Sequence, residues 1–173
     1  MTNDVFTLIF LAIHIISAGF WLSQFVAVMA LERFAQTVKG KPAEVAIKMA
    51  EGNVESLLGT FGGMGILISG LVLTFQFHYG ILGIGGTYTP MWLVTKQVIF
   101  IIAMGMVGAL VTRPARPIME MLGKALADGQ PASAEAVSAL SRVQLMSRIV
   151  NVLVLINIFV GVFGVNGGFM SGR

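Results

Sequence analysis

The sequence predicts an all-α fold: an antiparallel four-helix transmembrane bundle with short interfacial helices in the cytoplasmic loops. Hydrophobic residues make up 56% of the 173-residue chain and charged residues only 11%, whereas a soluble domain carries about 25% charged residues. Four apolar segments each reach the length of about 20 residues that a helix needs to cross the hydrocarbon core. Lipid offers no partner to an unpaired backbone amide, so each segment must be helical. Residues 1–173 therefore form a single integral membrane domain.

The apolar segments lie at about residues 5–31, 57–77, 91–112 and 145–165. The first segment follows Asp4 rather than a basic stretch and is too long for a signal peptide, so we interpret it as a retained span. Apolar and charged residues after Pro42 predict a short helix leading into span two, and Pro114 introduces a second interfacial helix after span three. Helical spacing returns between residues 131 and 143, with Ser133 as a candidate N-cap.

The loop charges predict the orientation. The second connection, residues 78–90, contains no lysine or arginine, whereas the first and third connections are rich in both. Basic residues stay on the cytoplasmic side, so both termini are expected on the outer side. Tyr79, Tyr88 and Trp92 mark the outer edge of the membrane. The high pI of about 9.6 follows from these loops, and nucleic acid is not an expected partner.

Glycine pairs predict close helix packing. Span two contains Gly59-x-x-x-Gly63, a spacing that lets another helix approach closely. Four glycines in the two later spans can face this groove: Gly105, Gly108, Gly161 and Gly164. The pattern is typical of a compact bundle, so a functional site must depend on other residues.

Two ionisable residues lie within the outer half of the spans. His14 is about 13 Å along span one and Lys96 about 7 Å into span three at 1.5 Å per residue, so an inward-pointing Lys96 can reach the level of His14. Lys96 can equally extend outward to the headgroups. Ser17, Trp21 and Gln24 follow His14 at helical spacing. Intramembrane ionisable groups are costly and therefore functional candidates, so His14, Lys96, Trp21 and Ser17 are the candidate cofactor-binding residues.

The remaining polar residues leave alternatives open. His14 can instead make an internal hydrogen bond to a facing serine or backbone carbonyl. Asn151 and Asn157 lie six residues apart in span four and point to different faces. Arg148 and Glu55 both lie near the cytoplasmic ends of their spans, where they can pair as anchors.

A metal centre has few donors in this sequence. The chain contains two histidines and no cysteine, which excludes thiolate sites. His14 lies inside the membrane and His78 at its surface, so the two are not expected to face across one porphyrin. A haem on His14, the one candidate metal ligand, would take its second ligand from Lys96, from a methionine such as Met64, or from another subunit.

The segment Ala12-Ile-His14-Ile-Ile-Ser-Ala-Gly-Phe-Trp21-Leu resembles the opening helix of a group of small four-span bacterial membrane proteins. That group includes HemJ-type protoporphyrinogen oxidases and the copper-resistance D membrane domains. Trp92-Leu-Val-Thr-Lys96 is similar to the start of the HemJ-type third helix. The HemJ-type segment after span one, basic and aromatic and ending in histidine, is replaced here by Leu31-Glu-Arg-Phe-Ala-Gln.

The resemblance implies a haem b or porphyrin bound at His14 and Lys96, in a bacterial cytoplasmic (inner) membrane. The first hypothesis is therefore a haem- or porphyrin-binding redox protein. A second hypothesis is a non-catalytic transmembrane subunit of a larger complex, favoured by small size, glycine-rich helices and the lack of an enzyme motif. A third is metal handling or transport. The sequence assigns no catalytic residue, and lipid is the partner it predicts, with other membrane subunits or a homo-oligomer as further candidates.

Overall fold

The computed structural model describes residues 2–165, and almost all of them are helical. No β-strand occurs in this range, and an isolated bridge between Ile81 and Ile84 is confined to a loop. The predicted all-α class is confirmed. The helices are α1 (Thr2–Thr37), α2 (Pro42–Gln76), α3 (Met91–Met106), a π-helical segment (Val107–Thr112), α4 (Arg113–Ala127) and α5 (Ala134–Val165).

Within residues 2–165, four helical stretches are long and apolar enough to cross a membrane: Val5–Thr37, Pro42–Gln76, Met91–Ala127 and Ala134–Val165. The shortest has 32 residues and spans roughly 48 Å, which exceeds the roughly 30 Å of the hydrocarbon core. Each helix therefore extends beyond the apolar region, and the chain is a multi-pass membrane protein.

The bundle has an apolar surface and polar side chains in its interior, as expected for a protein surrounded by lipid. Large apolar side chains are exposed along all four long stretches, such as Ile15, Phe61, Ile101 and Phe159. In the described part of the chain, seven polar or charged side chains are instead buried between the helices: Ser17, Gln24, Glu51, Ser69, Thr74, Ser147 and Asn151. Lipid satisfies the apolar surface, so the polar groups must find their partners inside the bundle.

Helices α1 and α2 form a tightly packed hairpin. The turn between them uses Gly40 at a φ of 77°, a left-handed conformation that glycine adopts without steric cost. Contacts join Thr7 to Gln76 and His14 to Ser69, so the two helices run in opposite directions. Helices α3 and α5 are also antiparallel, since Trp92 lies against Gly164 and Lys96 against Gly161.

The segment after span three is not a separate helix. Helix α4 continues directly from α3 through the π segment, in which the Arg113 N–H donates to the Gly108 carbonyl. Pro114 follows at once, and a proline has no N–H for the ordinary helical bond. A local π turn is one way to accommodate such a break in hydrogen bonding. The segment after Pro42 is likewise the first part of α2 rather than a short helix of its own.

Two apolar clusters hold the bundle together. One lies between α1, α2, α3 and α5 and is centred on Trp21, Ala103, Val150 and Val154. The other contains Val45, Val111, Ile118, Leu122, Ala136 and Val143. Beside the second cluster, the Ala136 N–H donates to Ser133 Oγ over 3.1 Å, which confirms Ser133 as the N-cap of α5.

The two ends of the bundle have different chemistry, and we name them accordingly. The terminal end carries the start of α1, the end of α5 and the apolar 77–90 loop. The basic end carries the 38–41 and 128–133 connections and most of the lysine and arginine residues.

Candidate functional site

His14 is held in a defined orientation near the terminal end. Its Nδ1 lies 2.9 Å from Ser69 Oγ on α2, and the Ser69 hydroxyl donates to the Gly65 carbonyl. The hydroxyl has a single hydrogen, so it accepts its bond from His14 Nδ1–H. In the neutral ring the proton is then on Nδ1, and the lone pair of Nε2 is available to a ligand.

The wall beside the His14 ring leaves little spare room. A Cβ added at Gly70 would lie 3.3 Å from His14 Cε1. The Ile66 carbonyl also approaches the ring and lies 3.4 Å from Ser69 Oγ. One face of α2 therefore fixes the position of the imidazole, through van der Waals contact with Gly70 and polar contacts with Ser69 and the Ile66 carbonyl.

Lys96 lies between α3 and α5, with its Nζ beside Gly161. A Cβ at Gly161 would stand 2.6 Å from its Nζ, so the absence of a side chain there makes room for the ammonium group. Lys96 makes no hydrogen bond or ion pair with any residue in 2–165. Its Nζ is at the level of Gly161, one turn deeper than the contact of Trp92 with Gly164. The side chain therefore does not extend outward to the headgroups.

His14 and Lys96 belong to the same region of the bundle. Lys96 is close enough to exert an electrostatic effect on His14, although the two side chains are not hydrogen-bonded. Each lies against a glycine of a neighbouring helix, Gly70 for His14 and Gly161 for Lys96. The structure thus brings the two predicted residues near each other from different helix pairs.

Trp21 and Ser17 serve the interior packing of α1. Trp21 is 4% exposed, and its Nε1 donates to Asn151 Oδ1 over 2.9 Å. Ser17 is buried against Gly65. Gln24, one turn further, is 3% exposed, and its Oε1 has no hydrogen-bond partner within the described part of the chain.

These buried and half-buried groups form one line between the helices, which we call the polar seam. It contains His14, Ser17, Trp21, Gln24, Ser69 and Asn151. Ser69 and the pairing of Trp21 with Asn151 were not identified from the sequence. Ser69 could have been found from the register of the α1–α2 hairpin. In an antiparallel pair, each step forward along α1 corresponds to one step back along α2, so a short turn after residue 37 places Ser69 opposite His14.

A second polar cluster lies at the basic end. Arg148 binds both carboxylate oxygens of Glu32, at 2.7 and 2.8 Å. Glu55 accepts a hydrogen bond from Ser147. The expected pairing of Arg148 with Glu55 is therefore wrong. Sequence distance placed both residues at the same depth, but the rotation of α5 turns Ser147 rather than Arg148 toward Glu55.

The prediction of close packing at glycines is confirmed for α2, but the predicted contact with the glycines of α3 and α5 is wrong. Gly62 and Gly63 do admit a close neighbour, but the neighbour is Trp21 of α1. Gly105 and Gly108 have nothing within 4 Å of an added Cβ, so they do not face the groove. The glycines of α5 face α3 instead, where they receive Lys96 and Trp92.

Two nitrogen donors lie near the terminal end. His14 offers Nε2 with an orienting hydroxyl on its other nitrogen, and Lys96 offers an unpartnered amine. Met64 is 48% exposed on the outside of the bundle. His78 is an exposed residue at a φ of 54° in the loop after α2. These two exposed side chains are therefore set apart from the half-buried His14–Ser69 contact.

No protein-family model, no curated protein sequence and no solved structure matches this chain. Within residues 2–165, no group of three or more His, Cys, Asp or Glu side chains is arranged to hold a metal ion. The function is therefore inferred from the geometry of the site.

Proposed function

We propose that this protein is a haem- or porphyrin-binding redox protein of the membrane, in which His14 would hold the iron. One observation carries the proposal: the His14 Nδ1–Ser69 Oγ bond of 2.9 Å directs the lone pair of Nε2 away from α2. Histidine ligands in metal proteins characteristically donate their other ring N–H to an oxygen in this way. The resemblance of the His14 and Trp92–Lys96 segments to HemJ-type proteins supports the same reading.

The residues around the ligand have separable roles. Ser69 fixes the tautomer and the ring angle of His14 by accepting from Nδ1. Lys96 would provide either a second nitrogen ligand, as a neutral amine, or a positive charge for a porphyrin carboxylate. A bound haem supplies one-electron oxidation and reduction at its iron.

The proposal also includes the membrane in which the protein lies and its orientation there. We place the protein in a bacterial cytoplasmic membrane with both termini on the outer side. The support is the absence of lysine and arginine from the 78–90 loop and their abundance in the two connections of the basic end. In this orientation the candidate haem site is in the outer half of the membrane.

An absorption spectrum of the detergent-purified protein tests the proposal, recorded oxidised and then reduced with dithionite. We expect a Soret band, and α and β bands on reduction, in the wild type and in His78→Ala. The His14→Ala variant should lose these bands. His78 is the matched control because it is the chain's other histidine and is exposed in a loop. Protein absorbance alone, even after expression with added haem, would contradict the proposal.

A non-catalytic subunit of a larger membrane complex is the second candidate function. The observation that favours it is on α3, where Gly105 and Gly108 are open and could admit a helix of another subunit. Purification in a mild detergent distinguishes the two functions. A subunit should co-purify with larger membrane proteins and without haem, whereas a stable isolated chain that carries haem would exclude this alternative.

A further inference from the structure

The basic end contains a carboxylate that lacks a cation of its own. Lys48 pairs with the buried Glu51 at 3.0 Å, and Arg148 pairs with Glu32 at 2.7 Å. Glu55, half-buried on α2, has no ion-pair partner among residues 2–165. Three carboxylates thus share two paired cations. Arg33, the further cation that lines the neighbouring cleft, is exposed and makes no ion pair within residues 2–165.

Glu55 receives a single hydrogen bond from the described part of the chain, donated by Ser147 Oγ to its Oε1. The carboxylate is otherwise free to exchange hydrogen bonds with water. Gln24, one helical turn away beside Gly59, does not line the cavity next to Glu55.

Solvent can reach this space from the basic end. A cavity of about 10 Å³ borders Glu55, Ser147 and Asn151, roughly the space that one water molecule needs. A wider cleft of about 190 Å³ lies next to it. The cavity and the cleft share three lining residues, Glu32, Gln144 and Arg148.

We propose that Glu55 is a proton-binding site that exchanges its proton with solvent through this cleft. The carboxylate takes a proton from a water-borne hydronium ion, which leaves one water molecule in the small cavity. The resulting carboxyl O–H donates to that water, and the neutral carboxyl needs no cation. The charged groups around Glu55 and the cleft are Glu32 and Arg33 on α1, Lys48 and Glu51 on α2, and Arg148 on α5.

A proton suits this site better than a metal ion does. Divalent cations take about six to eight oxygen ligands, and the site offers few oxygens around a cavity of about 10 Å³. Glu55 also does not belong to any group of three metal-ligating acidic, histidine or cysteine side chains within residues 2–165. This inference does not depend on haem, because the site lies at the opposite end of the bundle from His14.

Infrared difference spectroscopy of the full-length protein tests the inference, with two pH values compared in the range where the protein stays folded. We expect a carboxyl C=O band that appears at the lower pH and disappears in Glu55→Gln. Glu120→Gln is the matched control, because Glu120 is exposed on α4 and undergoes the same change of charge. A Ser147→Ala variant should keep the band but move its frequency, since it removes only the donor to Glu55.

Three results would overturn the inference. The first is a pH-dependent band that is unchanged in Glu55→Gln. The second is a band lost only in Glu51→Gln, which would assign the proton to Glu51. The third is a response to sodium in place of choline at constant pH, which would make the bound ion an alkali cation. The circular dichroism spectrum of each variant checks that the helices are intact.

Discussion

At the scale of single residues, the hydrogen bond from Trp21 to Asn151 joins α1 to α5 in the centre of the bundle. We expect Trp21→Phe to lower stability by about 1–3 kcal/mol, because Asn151 Oδ1 would become a buried acceptor without a donor. Thermal unfolding in detergent measures the loss. Trp92→Phe is the control, because the Trp92 indole N–H has no hydrogen-bond partner within residues 2–165. Equal losses in the two variants would mean that ring size, not the hydrogen bond, determines the effect.

Residues also differ in how far their roles could be predicted. His14 and Lys96 were recognisable from the sequence because an ionisable group is conspicuous in an apolar segment. Ser69 was not, because a serine in a span is common and gains its role only by facing His14. Glu55 was assigned the wrong partner, since the choice between Ser147 and Arg148 depends on the rotation of α5 about its axis.

At the scale of the helices, glycine determines how closely α1 and α2 approach. A Cβ at Gly62 would stand 3.0 Å from both the Ser17 carbonyl oxygen and the Trp21 nitrogen, which are backbone atoms that cannot rotate away. We expect Gly62→Ala to destabilise the protein by about 1–3 kcal/mol through overpacking. Thermal unfolding in detergent is again the measurement.

Gly105→Ala provides the comparison for the same substitution in an open position. Nothing lies within 4 Å of a Cβ at Gly105, so alanine should raise stability by about 0.8–1 kcal/mol through its higher helix propensity. Opposite signs for the two substitutions would support the helix contacts described above. A stabilising Gly62→Ala would contradict the close approach of α1 to α2.

At the scale of the whole molecule, the four candidate spans predict which loops face each side of the membrane. The chain has no cysteine, so single cysteines report accessibility cleanly. We expect a membrane-impermeant maleimide to label Thr87→Cys in intact cells and Gln130→Cys only after lysis, because basic connections stay in the cytoplasm. Both positions are exposed. Labelling of both from the same side would contradict the arrangement of spans, and the reverse pattern would invert the proposed orientation.

The sequence by itself determined the membrane class and the number of long helices. These properties depend on local quantities, namely the cost of burying a charge or an unpaired backbone group in lipid, which can be summed along a segment. The tertiary structure decided the partners: Ser69 for His14, Asn151 for Trp21, Glu32 for Arg148 and Ser147 for Glu55. Each partner depends on the register and rotation of a helix relative to its neighbours. Those are set by side-chain packing between distant parts of the chain, above all at Gly62 and Gly63, where Trp21 enters.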